Sequence, residues 1–138
     1  MEQIDLNTFL VDFYEDIVYD GSPKLPDYVS TGIWFSLLED DCIAGFINVE
    51  PLNNVMYSPH IFIYKSFRGN KSEDWGLQVA EYMRKNLGAK KFLAFTPYLS
   101  ALRYAKKIGF KQIAILTKSI QKNGLLLDQY VLELGEPM

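Results

Sequence analysis

The run VMYSPHIFIYKSFRGNKSEDWGLQVAEYMRKNLGAKKFLAFT, residues 55–96, sets the architecture. Val55 to Tyr64 is dense in β-branched and aromatic residues and follows a turn signal at Asn53-Asn54, so it reads as a strand. The period then changes. Trp75, Val79, Tyr82, Met83 and Leu87 recur at helical spacing. Ser72 stands as the expected cap, Glu73 and Asp74 fill the first turn where they complement the dipole, and Gly88 ends the helix. Phe92 to Thr96 is a short apolar strand stopped by Pro97. Strand, crossover helix, strand makes a parallel pair.

Upstream, Ile33 to Glu39 and Ile43 to Val49 read as strands joined by a polar hairpin turn at Glu39-Asp40-Asp41, which gives three consecutive antiparallel strands. Asp20 to Asp27 is a loop, broken by Gly21, Pro23 and Pro26. Before it, Asp5 or Asn7 caps an expected first helix reaching about Val18, with Leu6, Phe9, Leu10, Phe13 and Ile17 as its apolar stripe. Downstream, a helix is expected from Leu99 to Ile108, with Ala101, Leu102, Ala105 and Ile108 on one face and Gly109 closing it. Two last strands, Phe110 to Ser119 and Leu125 to Leu134, flank Asn123-Gly124, a strong hairpin signal. The expectation is one α/β domain over residues 1–138: a mixed, mostly antiparallel sheet covered by helices.

Composition narrows the chemistry. Of 138 residues, 49% are apolar and 22% charged, as in a globular fold. A single cysteine, Cys42, excludes an internal disulfide framework, and a single histidine, His60, excludes a multi-histidine metal site. No apolar run approaches the roughly 20 residues of a membrane span. The first residues carry neither a basic leader nor an uninterrupted apolar core, so a cytoplasmic location is expected. The net charge of −3 conceals a division: residues 1–64 sum to −10 and residues 65–138 to +7. This division fits either a basic surface for an anionic partner or two halves that neutralise each other. Nucleic acid is the weaker choice of anion, because the lysines at 85, 90, 91, 106, 107 and 111 fall on helix ends and outer faces without stacking aromatics among them.

Between strand and helix, Lys65-Ser-Phe-Arg68-Gly69-Asn70-Lys71-Ser72 places three cations and a glycine at a helix N-terminus, where unpaired N–H groups and the dipole favour a phosphate. The spaced glycines and Gly-Lys-Ser/Thr ending of a P-loop are missing, as is the dinucleotide fingerprint.

In this order the segments resemble the GNAT superfamily of acetyl-CoA-dependent N-acetyltransferases. Ile63-Tyr-Lys-Ser-Phe-Arg68-Gly69-Asn70-Lys71-Ser72-Glu73 is similar to the family's pyrophosphate loop, V-x-P-x-x-R-G-x-G-x-G. Tyr98-Leu-Ser-Ala101-Leu-Arg-Tyr-Ala105-Lys-Lys-Ile-Gly109-Phe110 resembles its N-x-x-A-x-x-x-Y-x-x-x-G-F segment, and the hairpin around Asn123-Gly124 resembles its closing hairpin. The likeness covers about residues 33–134. Its Arg-Gly loop and the Ala-Phe-Thr-Pro run at 94–97 are closest in flavour to GNAT-like proteins of tailed phages. Lys71 and Glu73 stand where the loop usually has glycines, the family's asparagine falls on Tyr98, and the tyrosine that protonates the departing thiolate in many members falls on Ala105.

The resemblance implies a GNAT-like sheet whose one parallel pair splays, with acetyl-CoA as cosubstrate and a primary amine, on a small molecule or a protein, as acceptor. It implies that pantetheine meets backbone groups near Ile61 and Ile63, that the pyrophosphate meets Arg68, Gly69, Asn70, Lys71 and Ser72, and that Tyr98 adjoins the cofactor. A backbone N–H on the fourth strand would hold the developing oxyanion. For the base, His60 has a suitable ordinary pKa, and strand parity decides whether it faces the cleft or a helix; Glu50 is the second candidate. Tyr104 and Tyr98 are candidates for the acid or for lining the acceptor site. No metal is implied. The alternative is a catalytically silent GNAT-fold binding or phage virion-assembly protein. A homo-oligomer or a phage assembly partner is the expected association, in the host cytoplasm or, if phage-encoded, the virion.

Overall fold

Asp40 and Asp41 both adopt left-handed backbone, with φ of 51° and 65°. Short polar side chains tolerate that geometry, and a two-residue hairpin turn requires it. They join β1 (Ile33–Glu39) to β2 (Cys42–Pro51). The Asn53 side-chain oxygen then accepts hydrogen bonds from the N–H groups of Val55 and Met56, at 2.9 and 2.8 Å, and turns the chain into β3 (Met56–Ile63). A short 3-10 turn at Lys65–Phe67 leads to α1 (Asn70–Leu87), then β4 (Lys91–Thr96), α2 (Leu99–Lys107), β5 (Lys111–Lys122) and β6 (Leu125–Leu134). Asn123 and Gly124, with φ of 52° and 80°, form the second two-residue turn. These elements come from a computed structural model, which describes Asp20, residues 32–68 and residues 70–135. The helix expected over Asp5 to Val18 lies outside the described residues.

The six strands form one sheet in the order β1-β2-β3-β4-β6-β5. Only β3 and β4 run parallel; the other neighbours are antiparallel. This is the expected mixed sheet with one parallel pair. Two boundaries differ by three residues, the others by two or fewer. The first described helix begins at Asn70, so Ser72 is a buried member of its first turn and not the cap outside it. Strand β5 runs on to Lys122, because the hairpin ladder resumes beyond a bulge at which Lys118, at φ 49°, gives its N–H to the Asp128 carboxylate at 2.8 Å.

Strand parity sorts the side chains. Ile47, Val49, Tyr57, Ile63, Phe92 and Leu132 share a core with Val79, Ala80 and Met83 of α1 and Leu102 and Ala105 of α2. Both helices therefore pack on one face of the sheet. Phe46, Asn48, Ser58, His60 and Phe62 alternate with those strand residues and belong to the opposite face, where Trp34 stacks on Phe62 with ring centroids 6.2 Å apart.

Gly45 fixes how closely β2 approaches β3: a Cβ there would collide with the Phe62 carbonyl oxygen and come within 2.9 Å of the Ile63 Cα. Backbone cannot swing aside as a side chain can. Gly45→Ala is therefore expected to destabilise the protein by more than about 2 kcal/mol, roughly 8 °C for a chain of this size. Gly135→Ala, which meets nothing within 4 Å, should melt as the parent does in thermal circular dichroism.

Candidate active site

Strands β3 and β4 are paired at Met56 with Lys91 and at Tyr57 with Phe92, and at no later position. Each nevertheless keeps its outer partner: β3 stays on β2 as far as Ile63, and β4 stays on β6 as far as Thr96. The inner edges thus part while the outer edges remain bonded, and the sheet opens as a wedge. Pro59 lies two residues beyond the last pair. A proline has no N–H to offer a ladder and belongs where a strand is effectively an edge.

The wedge leads into a cavity of about 550 Å³, bounded by β3 and β4 and roofed by α1 and α2. Ile61, Ile63, Arg68, Tyr98 and Tyr104 of the expected site line it, as does His60, which reaches it from the other face of the sheet. At one mouth stand Lys65 and Arg68. Arg68 Nε donates to the Ile63 carbonyl at 3.1 Å, which ties the cation to the end of β3. The first four N–H groups of α1, from Asn70 to Glu73, have no partner within the helix ladder. Gly69 and the side chains of Asn70 and Lys71 lie outside what is described.

Tyr104, on α2, packs against α1 at Gly76, where a Cβ would come within 2.6 Å of the phenol oxygen. Its hydroxyl donates to the Ser72 carbonyl. Burial pushes the phenol pKa well above the ordinary range; the backbone N–H of Gly76 draws it partly back, and the Glu73 carboxylate adds to the rise. Tyr104 therefore keeps its proton and uses it to clasp the first turn of α1. Ala105, the next residue, also lines the cavity.

On the far side of the wedge, Asn48 faces His60 and Glu50 faces Ser58 across the β2–β3 ladder, which makes Glu50 and His60 diagonal neighbours. Glu50 Oε2 lies 4.0 Å from His60 Nε2, and the two side chains are 35% and 34% exposed. That distance is an electrostatic pairing, too long for a hydrogen bond. Burial holds the imidazole pKa below its ordinary 6.5, while the Glu50 charge pulls it back upward. At neutral pH the ring is uncharged and able to accept a proton.

The structure adds Lys122, which sequence reasoning left out. Its Nζ lies 3.0 Å from the Tyr98 hydroxyl, so the β5–β6 hairpin reaches over the start of α2. Asp20 grips the same hairpin from outside, its carboxylate accepting from the N–H groups of Asn123 and Gly124 at 3.0 and 2.9 Å. Among the described residues no cluster of metal-ligating side chains occurs, and no described helix is long and apolar enough to cross a membrane.

No family model matches the chain, and no curated protein matches it in sequence. Solved structures do match in fold. A GNAT family acetyltransferase from Elizabethkingia anophelis with acetyl-CoA bound superposes with a TM-score of 0.70 at 20% identity, over 98% of this chain and 92% of its own. A ribosomal-protein-alanine N-acetyltransferase from Brucella melitensis gives 0.74 at 12% identity, over 94% of each chain. An IAA acetyltransferase from Bacillus cereus gives 0.69 at 18% identity, over 96% of this chain and 93% of its own. At such identities the likeness is one of fold, and the fold is that of the GNAT acetyltransferases.

Removing the Tyr104 hydroxyl tests the clasp. Tyr104→Phe should cost about 1 kcal/mol of stability, the usual worth of one such bond, read from urea melts. An unchanged midpoint would mean that the hydroxyl does not hold α1.

Proposed function

We propose that the protein transfers an acetyl group from acetyl-CoA to a primary amine. The observation that carries the reading is the wedge: β3 and β4 separate after two residue pairs, beside a helix N-terminus with Arg68 and Lys65 at the cavity mouth. Separated parallel edges offer backbone N–H and C=O groups to an amide-bearing arm such as pantetheine. The N-terminal turn of α1, with its dipole and Arg68, suits its diphosphate. The acetyl-CoA bound to the Elizabethkingia structure supports this choice of cosubstrate by likeness of fold.

The acceptor approaches from the face that carries His60 and Glu50. An amine must lose a proton before or as it attacks, and neutral His60 takes it, directly or through a water. Glu50 steadies the imidazolium that results. The nitrogen forms its bond to the acetyl carbon, a backbone N–H where the strands part holds the developing oxyanion, and the C–S bond breaks with its electron pair on sulfur. Tyr104 acts here by fixing α1, and Tyr98 by bounding the cavity at the start of α2. A second reading, a silent GNAT-fold binding or virion-assembly protein, is favoured by one observation: the position at which the resemblance implies an acid tyrosine holds Ala105.

Calorimetry and a thiol-release assay separate the two. Acetyl-CoA should bind and raise the melting temperature, and free thiol should accumulate with at least one member of an amine panel. Binding without thiol release across the panel selects the silent reading. Arg68→Glu combined with Lys71→Glu should weaken acetyl-CoA binding at least tenfold while leaving the fold intact; unchanged affinity would contradict the diphosphate assignment.

The pH profile tests the base. With the His60 pKa held below 6.5, the acid limb of kcat/KM should lie below pH 6.5, activity rising as the ring loses its proton and staying flat through neutrality. Glu50→Gln removes the charge that helps retain that proton, so the limb should move to still lower pH. A limb that moves upward in this variant would place the base elsewhere.

A further inference from the structure

Strand parity shows where the cavity opens on its acceptor side. Ala94 of β4 pairs with Leu132 of β6, and Leu132 belongs to the core beneath α1 and α2. Phe95 and Val131, the next pair, therefore point to the other face. Gln129 shares the face of Val131, and Ile120 of β5 joins it through its pairing with Leu127. His60 of β3 lies on this face too. All of His60, Phe95, Gln129 and Ile120 nevertheless line the cavity. The cavity thus passes from the helix side, past the end of β4 at Thr96, and opens on the face that carries the base.

The chemistry of that mouth is uneven. Phe95 is 39% exposed there, whereas its β6 partner Val131 is 6% exposed. A phenyl ring left open beside a cavity is a flat apolar wall. Ile120 adds an apolar surface at the hairpin end, and Gln129 on β6 is polar but uncharged. Glu50 stands 4.0 Å from His60, and none of the described residues that line the cavity is acidic. Asp20 commits its carboxylate to the N–H groups of Asn123 and Gly124, outside the lining. Near the lining residue Tyr98 the charge is positive, with Lys122 Nζ 3.0 Å from the phenol oxygen.

We propose that the acceptor is a primary amine borne on an uncharged apolar body of aryl size, its nitrogen at His60 and Glu50 and its body against Phe95. The proposal rests on acetyl transfer as the reaction and names the substrate class. One ammonium suits the Glu50 carboxylate beside the base. A second ammonium, as on a diamine, meets Lys122 rather than an acid toward Tyr98. Contact of the body with the phenyl ring holds the acceptor in the ground state and the transition state alike, so it raises kcat/KM and moves no proton. Phe95 is therefore a specificity-determining residue, and the chemistry stays with the groups at the wedge.

Thiol release from acetyl-CoA with phenethylamine, ethylamine and diaminobutane, compared at equal concentrations of free base, tests this. The unmodified protein should use phenethylamine with a kcat/KM about tenfold or more above that of either alkyl amine, as burial of one aryl group implies. Phe95→Ala should cut that ratio about tenfold, and Phe95→Leu, which keeps an apolar surface, should retain most of it. A ratio that Phe95→Ala leaves unchanged, or a diamine used in preference to phenethylamine, overturns the proposal and leaves acetyl transfer standing. Binding of acetyl-CoA with no thiol release from any amine overturns acetyl transfer itself, and the proposal with it.

Discussion

Two neighbouring strands that stop bonding to each other while each remains bonded on its other side impose the constraint on which this molecule depends. A sheet ordinarily satisfies every inner backbone group by pairing. Here β3 and β4 satisfy each other at two positions only. Beyond Tyr57 and Phe92, β2 and β6 hold the separated edges in place. The opening is therefore rigid at its margins, and the groups exposed within it are fixed before any ligand arrives. Preorganisation of this kind lowers the ordering cost of binding an extended arm. Pro59 belongs to the same constraint, for it would be a defect in a fully paired central strand and is none in a strand that has lost one partner.

The helices stabilise the opening in a second way. α1 and α2 meet at Gly76, close enough that the Tyr104 phenol takes the space of a side chain, and the same phenol bonds the Ser72 carbonyl in the first turn of α1. That contact fixes the helix mouth relative to α2, and so relative to the cavity roof that α2 also forms. Substituting Gly76 or Tyr104 would act through geometry at the mouth, although neither residue needs to touch a ligand.

Much of this was legible in the chain, for identifiable reasons. Both two-residue turns were visible because Asp40-Asp41 and Asn123-Gly124 are residues that accept positive φ. The start of α1 was misplaced because Ser72, a residue type that often caps, is buried inside the first turn instead. Local spacing carries no sign of the Tyr104–Ser72 bond, which joins positions 32 residues apart. The pairing of Glu50 with His60 depends on the β2–β3 register, which sets Glu50 opposite Ser58 and leaves the histidine diagonal to it. Parity alone left His60 either toward the cleft or toward a helix; the β2–β3 register turns it away from the helices, and it still lines the cavity because the sheet is open there. The opening itself had a sign in the sequence, Pro59, which strand composition obscured.

The division of charge along the chain bears on how the two substrates would meet. A donor carrying phosphates and an acceptor carrying an ammonium call for opposite fields, and a single uniform surface potential would repel one of them. The chain supplies −10 from residues 1–64 and +7 from residues 65–138, and the wedge lies where those halves join, between β3 of the first and β4 of the second. At this junction Lys65 and Arg68 occupy the end of the opening next to α1, while Glu50 stands beside His60 on the opposite face. Neutralisation between halves would place opposite charges against each other throughout; Lys91 with Glu133, at 2.9 Å, shows such a pair within the basic half itself. The residues at the opening are arranged otherwise, with cations toward one entrance and a carboxylate toward the other. Under the proposed reading, an anionic donor would enter beside Lys65 and Arg68 and a cationic acceptor beside Glu50, each next to a charge of the opposite sign.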